Sequence, residues 1–69
     1  MAIAKYYPVD ADHSVVYWTE SYSMSDTDFA RKVSDMIGKR ITASSLSHVD
    51  SSREMDKLER GAGSMVHVS

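Results

Sequence analysis

The sequence contains no cysteine, which excludes disulfide staples and thiolate metal sites. That lack is compatible with a reducing compartment. One proline and three glycines occur among 69 residues, so forced breaks are few. No apolar run reaches the roughly 18 residues a membrane-spanning helix needs. The N-terminus "MAIAKYYPVD" lacks the long apolar core of a signal peptide. The expectation is a cytoplasmic chain that does not enter a membrane. Large aliphatic residues are also scarce: seven Val and five Met stand beside only three Ile and two Leu. A chain this short buries only about 60% of the surface its unfolded form exposes. Self-association, as a homodimer, or a protein partner is therefore expected to supply part of the stability.

Charge is present but divided. The net formal charge is −2, with −4 over residues 1–30 and +2 over residues 31–69. A dedicated nucleic-acid binder normally carries a basic excess, so this balance argues against one without removing the possibility.

The six aromatic residues, Tyr6, Tyr7, Tyr17, Trp18, Tyr22 and Phe29, all fall in the first 29 positions. Residues 2–8 alternate like a strand, with Ile3, Tyr7 and Val9 on one side, Lys5 interrupting them and Tyr6 opposite. Pro8 cannot donate to a ladder, so this strand lies on an edge or ends there. "DADH" at 10–13 reads as a turn, since Asp side chains bond their own backbone. Residues 14–23, "SVVYWTESYS", are rich in β-branched and aromatic types and form the second strand of a hairpin. One face carries Val15, Tyr17 and Thr19; the other carries Val16, Trp18, Glu20 and Tyr22. Both are apolar through 15–18, whereas a small domain has one helix to spare for one face.

A helix is expected at 26–37. Ser25 is a good N-cap, Asp28 stands at N3, and Met24 and Phe29 fit a hydrophobic staple. Asp26 and Asp28 suit the positive end of the helix dipole. Phe29, Ala30, Val33, Met36 and Ile37 recur at helical spacing as one buried stripe. Asp28–Lys32 and Arg31–Asp35 are spaced for i,i+4 ion pairs, and Gly38 is the stop. Ser51-x-x-Glu54 resembles a capping box and Gly61 a stop, giving a second helix at 52–60 held by Met55 and Leu58. "SMVHVS" reads as a C-terminal strand at 64–68. Residues 41–50 leave their route open; "SSLSHVDSS" at 44–52 holds five Ser, with Leu46 and Val49 three apart. The fold class is α+β, one domain spanning 1–69: an antiparallel hairpin packed on the first helix, a short second helix and a closing strand.

Catalytic signatures are missing. There is no G-x-S-x-G and no phosphate-cradling glycine loop, and "GAG" lacks a following helix. So small a chain has little room for a water-excluding pocket, and no enzyme, cofactor or metal site is expected. Asp10, Asp12 and His13 within one turn make no geometry-specific metal site.

Two constellations remain. Tyr6, Tyr7, Tyr17, Trp18, Glu20 and Tyr22 form an aromatic, acid-rimmed ribbon suited to a protein partner, because Tyr and Trp carry large contact area at low entropy cost. Its acids would steer it to a basic patch. The alternative is a helix-turn-helix-like segment over 39–61, in which Arg31, Lys32, Lys39, Arg40, Arg53, Lys57 and Arg60 contact phosphates. Arg53, Lys57 and Arg60 are balanced by Glu54, Asp56 and Glu59, which weakens that footprint. The expectation is a non-enzymatic adaptor or inhibitor of the kind small viral or accessory genes encode.

Overall fold

The structure, a computed structural model, describes residues 2–69. It is an α+β domain with a four-stranded mixed sheet and two α-helices. Strand β1 spans Ala4–Pro8 and β2 spans Val16–Glu20. They form the expected antiparallel hairpin, in register Lys5↔Thr19, Tyr6↔Trp18 and Tyr7↔Tyr17. The connection is the Asp-rich turn: the Ser14 hydroxyl donates to Asp10 Oδ2 at 2.6 Å, and the Ser14 N–H donates to Asp12 Oδ1 at 3.1 Å. His13 takes the left-handed conformation there, with φ 58°.

Helix α1 covers Asp26–Ile37, as its capping signals require. The Ser25 hydroxyl accepts from the Asp28 N–H at 3.2 Å, and Gly38 closes the helix with φ 68°, a conformation that glycine adopts without penalty. Phe29, Ala30 and Val33 are buried and Ile37 partly so. Met36, expected in that stripe, is 51% exposed and turns away from the core. Among the described residues, Asp28–Lys32 and Arg31–Asp35 do not come within ion-pair distance; Lys32 Nζ donates instead to the Ser69 carbonyl at 2.7 Å.

The undetermined stretch contains a 3-10 turn, Ala43–Ser45, and a short strand β3, Ser47–Val49. Helix α2 follows at Ser52–Gly61 and strand β4 at Met65–His67. Ser51 caps α2 by accepting from the Glu54 N–H, while Glu54 Oε2 accepts from the Asp50 N–H at 2.8 Å. The carboxylate reaches one residue further back than a standard capping box. Gly61 is the last residue of the helix, not a left-handed stop, and Ala62 caps it. Because β3 intervenes between the two helices, residues 39–61 do not form a helix-turn-helix unit.

The strand order is β3-β1-β2-β4, with β3 antiparallel to β1 and β4 parallel to β2. Strands β2, β3 and β4 therefore run the same way, and each step from one to the next needs a crossover. Helix α1 makes the first and α2 the second. Tyr7 and Tyr17 pack with α1 on the main core of Phe29, Ala30, Val33, Leu46 and Val68. Tyr6, one residue from Tyr7 and so on the opposite face, lines a groove with residues of α2. The sheet thus lies between the two helices, so each face carries a helix, contrary to the expectation that only one face could be covered. Pro8 ends β1 beyond the three residues that pair with β3, so its missing N–H leaves no gap in that ladder.

Candidate functional site

The register divides the expected aromatic ribbon between the two sides of the sheet. Tyr7 and Tyr17 are partners on the α1 side, half-buried against the core. Tyr6 and Trp18 are partners on the other side, together with Ala4, Val16, Glu20 and Val49 by alternation. Ala4, Val16 and Val49 are buried, while Tyr6, Trp18 and Glu20 are half-buried. Tyr22 leaves the group altogether. Strand β2 ends at Glu20, residues 21–23 turn, and Tyr22 is 88% exposed.

Strand β4 supplies a residue the sequence reading did not select. His67 is the partner of Trp18, and the two rings lie 4.6 Å apart at 56°, a tilted arrangement typical of attractive ring pairs. His67 Nε2 is also 2.9 Å from Glu20 Oε2. This hydrogen bond holds the Glu20 carboxyl below the usual carboxylate range. The only available signal was His67 alternating with Val66 and Val68, and alternation does not reveal which strand will lie alongside. Trp18, His67 and Glu20 form one patch on the β2–β4 half of the face, with Tyr6 next to it.

On the α1 side, Lys5 is 3% exposed rather than merely interrupting an apolar face. Its Nζ donates to Asp26 Oδ1 at 2.6 Å and to the Met24 carbonyl at 2.8 Å. His48 Nε2 stands 3.3 Å from Asp26 Oδ2. The Lys5 hydrogen bond and then that of His48 keep the Asp26 carboxyl below its ordinary range. These contacts tie β1, β3 and the start of α1 together.

The basic residues do not gather into one surface. Arg31 and Lys32 lie on α1 and Lys39 and Arg40 just after it, whereas Arg53, Lys57 and Arg60 lie on α2, across the sheet. Arg60 Nε is 3.1 Å from Asp56 Oδ2, one turn earlier. Arg31 and Arg40 do share a cleft of about 390 Å³ with Asp35 and Thr42. In the Asp-rich turn, the Asp10 and Asp12 carboxylates accept hydrogen bonds from Ser14. Among the described residues no three His, Asp or Glu side chains are arranged to hold a metal ion. No described helix is long and apolar enough to cross a membrane.

Compared with known protein families, curated proteins and solved structures, the chain matches none of them.

Proposed function

We propose that this chain is a small non-enzymatic protein-interaction module, an adaptor or inhibitor, whose contact surface is the Tyr6–Trp18–Glu20 side of the sheet. The observation that carries this reading is the position of Trp18. The only tryptophan is half-buried on the face turned away from α1, beside Tyr6 and His67. A rigid aromatic pair with a polar rim is the composition of an interface anchor. Glu20 at one end of the hairpin, and Asp10 and Asp12 in the turn at its other end, favour a basic partner surface. Tyr7 and Tyr17 support the ribbon from inside and do not belong to the contact.

The Arg31–Arg40 cleft favours a second reading, in which these residues with Lys39 contact nucleic-acid phosphates. The two readings separate in one experiment. Tagged wild type, Trp18→Ala and Lys39→Ala/Arg40→Ala chains are used to capture partners from native-host lysate across a salt series. Protein capture that depends on Trp18 and changes little with salt is the expected result. Loss of binding only in the double basic variant, with a steep fall as salt rises, favours nucleic acid. If Trp18→Ala changes no association, the proposed surface is wrong.

A further inference from the structure

We infer that the groove between Tyr6 and α2 is a socket for an arginine side chain of a protein partner. The inference deepens the proposed function: it rests on the Tyr6–Trp18 face meeting a protein, and it names the chemistry met there. The groove holds about 360 Å³ and is lined on one side by Tyr6, Asp12 and His13, and on the other by Glu54, Lys57 and Leu58. That volume lies within the range of small-ligand sites. Tyr6 is also the cross-strand partner of Trp18, so the groove continues the aromatic face.

Three features of the lining select the ligand. Tyr6 and His13 form a tilted ring pair with centroids 6.3 Å apart, and Leu58 faces them across the groove, so the wall suits an aliphatic stem and a flat cation. Asp12 and Glu54 bring two carboxylates. Each accepts from a backbone N–H, of Ser14 and of Asp50 respectively. Among the described residues, neither has a cation within ion-pair distance. Lys57 is the single permanent cation of the lining and leaves a net negative charge. A guanidinium meets all three conditions: it stacks on aromatic rings, is weakly hydrated, and donates to carboxylates in a planar fork. A carboxylate or phosphate would meet two like charges.

The test is an amide-resolved NMR titration of the full chain with N-acetyl-arginine methylamide, and with N-acetyl-glutamate methylamide as its anionic counterpart. The arginine probe should give saturable shifts centred on Tyr6, His13 and the Leu58–Gly61 turn, with a dissociation constant on the order of 1 mM, the scale for a ligand this small. Glu54→Gln keeps the hydrogen bond to Asp50 yet should weaken binding about threefold, as should Asp12→Asn; Lys57→Gln should tighten it by about the same factor. Tyr6→Leu should weaken it as well. Absence of saturable shifts overturns the proposal, as does weaker arginine binding in Lys57→Gln. Stronger shifts from the glutamate probe at the same residues overturn it in favour of an anion site. Partner capture separates this socket from the reading beneath it. Retention that survives Tyr6→Leu and Glu54→Gln but not Trp18→Ala removes the socket and leaves the Trp18 surface. Saturable arginine shifts with capture indifferent to Trp18→Ala support the socket and remove the Trp18 surface.

Discussion

Lys5 Nζ lies 2.6 Å from Asp26 Oδ1 with only 4% of the lysine side chain exposed. A buried ammonium needs its hydrogen bonds satisfied, and here the second goes to the Met24 carbonyl at 2.8 Å. Strand β1 is thereby fixed to the segment that starts α1. Lys5→Met removes both bonds while keeping the bulk. The expected loss is about 2 kcal/mol, within the range for charge-assisted hydrogen bonds, read from the urea midpoint at unchanged slope. Asp26 is 42% exposed and can rehydrate, so adding Asp26→Asn should cost little more. The double-mutant cycle then shows a coupling of about 1 kcal/mol.

The same contact sets an acid dependence. The Asp26 carboxyl is held below its ordinary 3.8 by the hydrogen bond from Lys5 and then that from His48. A depressed carboxylate stabilises the fold fully above its unfolded value, and that contribution disappears as the pH falls through the folded one. Wild type should therefore exceed Asp26→Asn in stability near neutrality, with the gap narrowing as the pH drops below about 4. Urea melts of both chains at a series of pH values check this. A gap that widened in acid would contradict the sign.

Much of this architecture was legible because its signals are local. Ser25, Met24, Phe29 and Gly38 fix α1 within one continuous stretch, and the alternation at 14–20 with its Asp-rich turn fixes the hairpin. What escaped depends on distant residues. Strand β3 is three residues long among serines and takes its identity from pairing with Ala4–Tyr6. The assignment of Tyr7 and Tyr17 to one side and Tyr6 and Trp18 to the other was readable as alternation, but which side α1 covers was not. Lys5 was the sharpest unused signal: the lone cation of the first thirty residues, set in an apolar strand, announces a buried partner without naming Asp26. The candidate surface was legible in Trp18, Tyr6 and Glu20, whereas His67 and the α2 wall of the groove come from crossover geometry.

Two nearby glycines should respond to alanine with opposite signs. A Cβ on Gly63 would fall 2.7 Å from the Ser14 carbonyl oxygen, while one on Gly61 meets nothing within 4 Å. Gly63 also donates its N–H to the His13 carbonyl at 3.0 Å, so its backbone must approach the hairpin turn closely. Gly63→Ala should destabilise by about 1–3 kcal/mol through forced backbone movement. Gly61→Ala, in the last helical position, should stabilise by about 0.5 kcal/mol. Thermal melts of both variants beside wild type decide the matter.

His67 holds the end of β4 through Glu20 at 2.9 Å and sits against Trp18 at 4.6 Å. Both side chains are substantially solvated, so His67→Gln should cost only about 0.5 kcal/mol. The clearer readout is optical. Trp18 is the only tryptophan, and removing the imidazole from beside its ring changes the indole environment. The emission of folded His67→Gln should therefore differ from that of folded wild type at the same pH. Identical emission from the two chains would show that the ring contact is not maintained in solution.

The final contrast is between the two sides of one strand. Tyr17 and Trp18 are adjacent, yet Tyr17 packs with Tyr7 on the α1 core while Trp18 lies beside Tyr6 and His67 on the opposite face. Tyr17→Ala opens a gap over the α1 core and should cost about 2–3 kcal/mol, somewhat less than full burial would give. Trp18→Ala should cost less, because its ring is not packed against the buried α1 cluster that Tyr17 joins, while abolishing partner capture. Tyr22→Ala, at a side chain 88% exposed, should stay within about 0.5 kcal/mol of wild type. Urea denaturation and partner capture measured on all three variants separate stability from binding. A Trp18→Ala chain as unstable as Tyr17→Ala would place the indole among the structural supports of the sheet and leave the α2-side face without its anchor.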